Sequence, residues 1–346
     1  MGTLEQASNQ IINLKPASPD GYALHSLAEM NRKQFAAAER DVNKAIEVDP
    51  QSQVGYVQRG NLKFLQKQYE DAARAYQQAL DRDPNSTDAL RGLMNTYLAQ
   101  NQMERAVAIA NAQIVKSPAN SSFYDLLGTV LLRNKKDLNA AEPALRKSVE
   151  LDKSNIDALL KLAQVQAAKG NFDQAIATCQ QAVKDNSNLW EGYLLLGQLY
   201  ESTRDWNKAQ EAYQKVLEFK PNDPVASNNL ANVLLQAGGN PDMALSLAQT
   251  ARRGMPDSPD AADTLGWVYY QTGAYRSAIS LLQEALKLQQ KNKAPDNADL
   301  HYHLGLAYEK TKQPALAREQ LERVLKINPN YWAAADIKKQ LADLKW

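Results

Sequence analysis

Apolar and polar positions along this chain fall into a helical rhythm that repeats. Residues 190–221 read WEGYLLLGQLYESTRDWNKAQEAYQKVLEFKP. Tyr193, Leu196, Gly197 and Tyr200 fall on one face at helical spacing, Ala209, Tyr213 and Val216 mark a second helix, and Pro221 closes the unit. Prolines stand at Pro16, Pro50, Pro84 and Pro118, each 34 residues after the last, and Pro221, Pro256 and Pro329 continue the series with small insertions. Second-helix alanines recur at Ala38, Ala72, Ala106, Ala141, Ala175, Ala209, Ala244, Ala278 and Ala317. First-helix small residues recur at Gly60, Gly128, Ala163, Gly197, Ala231, Gly266 and Gly305. One register therefore sets successive units at 19–52, 53–86, 87–120, 121–155, 156–189, 190–223, 224–258, 259–297 and 298–330.

A large residue, then Leu-Gly, an aromatic, a small Ala, another aromatic, a further Ala and a final Pro resembles the pattern of the tetratricopeptide-repeat family. A period of about 34 residues is also that family's length. The resemblance covers nearly the whole chain. It implies an all-α, right-handed superhelical solenoid of about nine helix-turn-helix repeats over residues 19–330. It also implies a second helix of a truncated repeat at residues 1–18 and a capping helix at residues 331–346.

Close packing explains the small residues. A glycine or alanine lets two antiparallel helices approach, and larger neighbours fill the grooves beside it. Each hairpin leaves an apolar face open until its neighbour stacks on it, so stability is nearly a nearest-neighbour sum. Several departures stand out. In the first repeat Tyr22, Leu24 and Leu27-Ala28 look out of register with Phe35, as though the turn had lost residues. Repeats four and seven carry one extra residue, near Lys135–Asn139 and Gly238–Pro241. Gln289–Asp296 (QQKNKAPD) reads as a flexible joint. Pro314 replaces an aromatic and fits the start of a second helix.

The ends differ from the middle. Residues 331–346 read as one amphipathic helix with Ile337, Leu341 and Leu344 on its apolar side, a cover for the last hairpin. Pro16 is in register, so residues 4–15 read as a second helix whose first helix is missing. The expectation is a chain excised from a longer array or following a removed segment.

Composition narrows the function. The chain has 346 residues, is 44% hydrophobic and 23% charged, and so is neither disordered nor a membrane protein. No apolar run approaches the roughly 18 residues of a membrane span, and Met1 to Lys15 lack the features of a signal peptide. A net charge of +1 with interspersed signs shows no basic stripe for nucleic acid. The single cysteine, Cys179, excludes an internal disulfide and reads as a buried thiol in a second helix. Few cysteines suit a reducing cytosol and a bacterial periplasm alike, so the compartment stays open.

Catalytic chemistry is not legible. The chain has three histidines, His25, His301 and His303, and residues at i and i+2 point about 200° apart on a helix, so His301 and His303 do not share a metal. There is no H-E-x-x-H, paired C-x-x-C, G-x-x-x-x-G-K-[ST] or G-x-S-x-G. The expectation is a protein that is not an enzyme and carries no cofactor or metal.

In the family, first helices line the concave face, with repeat positions 2, 5, 6, 9, 12 and 13 pointing into it. Carried over, these include Asn61, Arg91, Asn95, Lys161, Gln164 and Gln198. In the later repeats they include Asn228, Asn229, Asn232, Gln236, Trp267, Tyr270, Gln271, Tyr302, His303 and Lys310. Asparagine donates and accepts at once, so it can clamp a peptide backbone; a wide superhelix would also leave such residues simply facing water. Trp267 and Tyr270 offer an anchor for an apolar side chain, while the string LGWVYY fits inter-repeat packing equally. The basic clamp with which some co-chaperones of the family hold a Glu-Glu-Val-Asp tail is absent: its positions hold Val57, Asn61, Gly92, Ser122 and Leu126, and Asn61 alone matches. The leading expectation is a bacterial scaffold or adaptor for an extended peptide or partner protein. One alternative is an envelope component of a polysaccharide-export or protein-sorting machine, because Asn228–Ala278 resembles repeat proteins of bacterial exopolysaccharide gene clusters. Another is self-association into a homo-oligomer through the open N-terminal end.

Overall fold

The computed structural model describes residues 2–133 and 137–343, and among these are twenty α-helices and no strand. They form two compact units, residues 1–178 and 179–346. The first carries α1 (Gly2–Leu14), the pairs α2 (Pro19–Asn31) and α3 (Phe35–Val48), α4 (Gln53–Leu65) and α5 (Tyr69–Arg82), α6 (Thr87–Ala99) and α7 (Met103–Lys116), α8 (Ser121–Arg133) and α9 (Leu138–Leu151), then α10 (Ile156–Ala168). The division falls inside α11 (Phe172–Asp185). The second unit continues with α12 (Trp190–Ser202) and α13 (Trp206–Phe219), α14 (Pro224–Gln236) and α15 (Pro241–Gly254), α16 (Pro259–Gln271) and α17 (Tyr275–Lys291), α18 (Ala298–Lys310) and α19 (Pro314–Ile327), and α20 (Ala334–Asp343). Successive helices pack on one another from α1 to α10 in the first unit and from α12 to α20 in the second. First helices also touch one another, as α4 does α6 and α14 does α16.

Local chemistry sets the helix ends. Ser18, Ser52, Ser86, Asn155, Asp223, Ser258 and Asn297 accept hydrogen bonds from first-turn amides of the helices they precede, which satisfies donors that a helix start leaves orphaned. The periodic prolines follow an extended residue such as Asp49 (φ −141°), where a missing amide costs nothing. Inside the hairpins the chain turns through left-handed residues at Lys33, Lys67, Asn101, Gly170, Arg204, Gly238, Gly273 and Lys312.

In five hairpins a glycine at the eighth residue of the first helix meets a large side chain at the eighth residue of the second. Gly60 faces Tyr76, Gly128 faces Leu145, Gly197 faces Tyr213, Gly266 faces Leu282 and Gly305 faces Leu321; a Cβ on Gly60 would sit 2.5 Å from the Tyr76 ring. In the third pair the order reverses, with Met94 on the first helix and Ala110 on the second, both buried. Total volume is conserved although its donor changes, which is how cores tolerate substitution.

Three expectations need correction. The first repeat has lost no residues: α2, its turn and α3 match α4, its turn and α5 in length. The small residue there is Ser26, fully buried with its hydroxyl bonded to the Ala23 carbonyl at 2.7 Å, rather than the Leu27-Ala28 pair. The joint at Gln289–Asp296 is held, because α17 runs on to Lys291 and the strand of chain beyond it is tied down. Asn292 Nδ2 donates to the Asp257 carbonyl at 3.0 Å, and Gln289 Nε2 to Asp296 Oδ1 at 3.1 Å. Finally, the last helix starts at Ala334 rather than at residue 331. Tyr331 and Ala333 lie in the preceding turn, packed with Leu321, Val324 and Ile337.

Two further departures stand as read. Asn240 caps α15 after the longer turn, and Pro314 opens α19. The other insertion falls on residues 134–136, and Leu344 on the C-terminal end; both lie outside the described residues.

Gly197→Met is expected to overpack α12 against α13 and cost about 1–3 kcal/mol, and Tyr213→Ala to leave a cavity costing about 3–5 kcal/mol. The double variant copies the Met94–Ala110 arrangement and should recover much of both losses. Urea midpoints followed by circular dichroism check this; additive losses in the double variant would refute volume exchange.

Candidate functional site

In the first unit, Asn61 of α4 and Arg91 and Asn95 of α6 share a concavity of about 310 Å³ with Asp88 and Tyr76. Tyr76 Oη donates to Asn61 Oδ1 at 2.7 Å, and Arg91 pairs with Asp88 at 3.1 Å. Beside it Lys161 bonds Asp125 at 3.0 Å. Burial raises the Asp125 carboxyl, and Lys161 pulls against that rise. Charges here are largely paired. Gln164 on α10 and Gln198 on α12 are exposed and lie outside these concavities.

The second unit brings more of the anticipated residues together. A concavity of about 550 Å³ is lined by Asn228, Asn229 and Asn232 of α14, Trp267 of α16, and Tyr302 and His303 of α18. Tyr270 lies one helical turn after Trp267 and stacks on it, with ring centroids 4.6 Å apart and planes within 9°. Trp267 also stacks on His303 at 4.1 Å. Trp267 thus joins α16 to α18 while still lining the cavity.

The asparagines are set from behind by a second-helix aromatic. Tyr213 passes Gly197 and donates its hydroxyl to Glu201. Asn229 Nδ2 donates to Tyr213 Oη at 3.3 Å, and Asn228 Nδ2 to Asn229 Oδ1 at 3.4 Å. Burial raises the Glu201 carboxyl, while hydrogen bonds from Tyr213 and Asn232 lower it. The same burial, reinforced by Glu201, pushes the Tyr213 hydroxyl far above the usual phenol range.

Sequence reasoning missed the carboxylates. Asp260, Asp263 and Asp299 line this concavity, and no Lys or Arg does so among the described residues. All three stand at first-helix positions 2 and 5, so the positional rule that found the asparagines passes through them too. His303 Nδ1 lies 2.8 Å from Asp263 Oδ1. Tyr331 Oη donates to Asp299 Oδ1 at 2.6 Å, and burial together with Asp299 raises the Tyr331 hydroxyl. Tyr331 and Trp332 arrive from the turn before α20, for which no repeat position gives a signal.

The other candidate chemical groups are structural. His301 faces away from His303 and is held by Gln320 at 2.6 Å and Asp296 at 2.9 Å. Cys179 is fully buried, which pushes its thiol up to about 12. No helix among the described residues is long and apolar enough to cross a membrane.

Stacked helical hairpins define a repeat protein, and comparison agrees. Tetratricopeptide repeat models match residues 63–128, 132–199, 190–223, 223–291 and 264–331, and the chain belongs to the tetratricopeptide-repeat family. It is 26% identical over 201 residues to the human Protein O-mannosyl-transferase TMTC1, covering 57% of this chain and 22% of that protein. It is 26% identical over 136 residues to human Anaphase-promoting complex subunit 7, covering 39% of this chain and 24% of that protein. The chain thus spans under a quarter of the length of these curated relatives. In fold it is similar to the crystal structure of the APC/C hetero-tetramer Cut9-Hcn1 (TM-score 0.58, 21% identity, 93% of this chain and 63% of that one). A tetratricopeptide repeat protein from Parabacteroides merdae is also similar (TM-score 0.56, 18% identity, 74% and 99%).

The dipole at the start of α16 favours a negative charge at Asp260. The cavity walls and the neighbouring Asp263 outweigh it and raise the Asp260 carboxyl above its ordinary value. A folded-state value above the unfolded one means the ionised form costs stability at neutral pH, and that cost disappears as pH falls through the raised value. Asp260→Asn should therefore melt higher than the parent at neutral pH and gain less on acidification. Thermal melts across that range check the sign; a lower melting point for the variant at neutral pH would contradict it.

Proposed function

We propose that this chain is a non-catalytic adaptor, and that α14, α16 and α18 of its second unit hold an extended segment of a partner protein. The convergence of Asn228, Asn229 and Asn232 with Trp267, Tyr302 and His303 on one concavity carries this reading. Amides offer donors and acceptors to a peptide backbone without demanding one sequence. Their anchoring on Tyr213 and Glu201 lowers the ordering cost of binding. Aromatic walls supply the apolar contact from which interfaces draw most of their affinity.

The first unit's concavity at Asn61, Arg91 and Asn95 is built alike, with Tyr76 in the role of Tyr213, and we assign it the same class of ligand. Membership of a repeat family whose members bind proteins or peptides supports the reading. So does likeness to a protein named as a subunit of the anaphase-promoting complex.

Peptides selected from a random phage-displayed library against the whole chain test the proposal. Titrated by calorimetry, they should bind the Asn229→Ala/Asn232→Ala variant about tenfold more weakly or worse, as loss of buried hydrogen-bond partners at an interface dictates. Selected peptides whose affinity is unchanged in that variant would place binding elsewhere.

A further inference from the structure

The concavity of the second unit holds more than amides and rings. Its charge is one-sided: Asp260, Asp263 and Asp299 contribute carboxylates, and no Lys or Arg among the described residues lines it. Asp263 is engaged by His303 and Asp299 by the Tyr331 hydroxyl. Asp260 has no ion-pair or hydrogen-bond partner among the described residues, and the nearby Asp263 works against its charge. Further carboxylates stand close by, since Glu309 and Asp336 act on Tyr302 through their charge and Glu201 lies behind Asn232.

The aromatic groups at the same place form a corner. Tyr302 and Trp332 lie 5.4 Å apart with their planes at 74°, and Tyr331 is 5.4 Å from Tyr302 and 5.6 Å from Trp332. Trp332 is 69% exposed, although folding alone gives a large indole every reason to be covered. Tyr302 is in turn next to His303, which is stacked on Trp267. Two ring faces at a steep angle, in a cavity that an unpaired carboxylate also lines, attract a cation by two routes: the ring quadrupoles and direct charge. A guanidinium suits both, because it is planar enough to stack and its donors fork onto a carboxylate.

Resting on the groove reading above, we infer that the partner segment is basic, and that one of its arginine side chains enters the corner made by Tyr302 and Trp332 in the cavity that Asp260 also lines. The asparagines hold the backbone and the acidic end selects the charge. Ligand binding then neutralises a carboxylate that the free protein keeps at a cost, which couples specificity to an unfavourable charge in the cavity.

The test compares two synthetic peptides on the whole chain, one of alternating glycine and arginine, the other with each arginine replaced by citrulline, which is nearly isosteric and neutral. Fluorescence anisotropy of the labelled peptides gives the affinities. The arginine peptide should bind about tenfold tighter or more, in line with combined cation–π and ion-pair contributions. That advantage should largely vanish in Asp260→Asn and in Trp332→Ala. It should persist in Asp173→Asn, which removes the same charge from an exposed position on α11. Trp332 is exposed and Asp260 destabilising, so neither change endangers folding. Equal affinity for the two peptides, with both weakened by Asn229→Ala, overturns the arginine assignment and leaves the groove reading intact. A preference that survives both Asp260→Asn and Trp332→Ala overturns it as well, by showing diffuse electrostatic attraction. Binding of neither peptide also overturns it, and the library-selected peptides then judge the groove reading separately.

Discussion

The closeness of two antiparallel helices, set by which partner supplies volume at the eighth position, is the constraint from which the rest of this structure follows. Where the first helix offers glycine, the second inserts tyrosine or leucine; where the first offers Met94, the second retreats to Ala110. Dispersion contacts fall off steeply with distance, so a gap or a clash of one methylene is felt. Once each pair is closed, its remaining apolar surface can be buried only by the next pair, and the chain has little choice but to stack. The caps and left-handed turns then fix where each helix starts and reverses.

That same packing residue builds the polar face. Tyr213 and Tyr76 fill the space left by Gly197 and Gly60, and their hydroxyls emerge on the side where first-helix amides stand. A core residue therefore orients surface residues. In the second unit this chain of bonds runs from Glu201 through Tyr213 to Asn229, and it gives the cavity walls a definite hydrogen-bonding pattern before any ligand arrives. Preformed donors and acceptors of this kind lower the entropy lost on binding.

Similar folds at around one-fifth identity fit this view. A few positions per repeat carry the packing, and the remaining ones are free to change without disturbing it. The surface chemistry of one family member is accordingly a poor guide to another's.

Sequence alone determined the helical hairpins, their period and most of their register, because packing and capping act between residues close in the chain and leave a repeating mark. The family resemblance, carried over position by position, also pointed to Asn228, Asn229, Asn232, Trp267, Tyr302 and His303, which line one cavity. Sequence reading misplaced the first hairpin's small residue because Ser26 does not look like a packing glycine until its hydroxyl is seen bonded to the backbone. It read Gln289–Asp296 as a loose joint because the bonds that hold it reach Asp257, about thirty residues back along the chain. Only tertiary structure decided that Tyr331 and Trp332 fold back beside Tyr302, and that Tyr213 reaches from one hairpin to the asparagines of the next. Those contacts depend on how separate elements come to rest against one another, which no local spacing encodes.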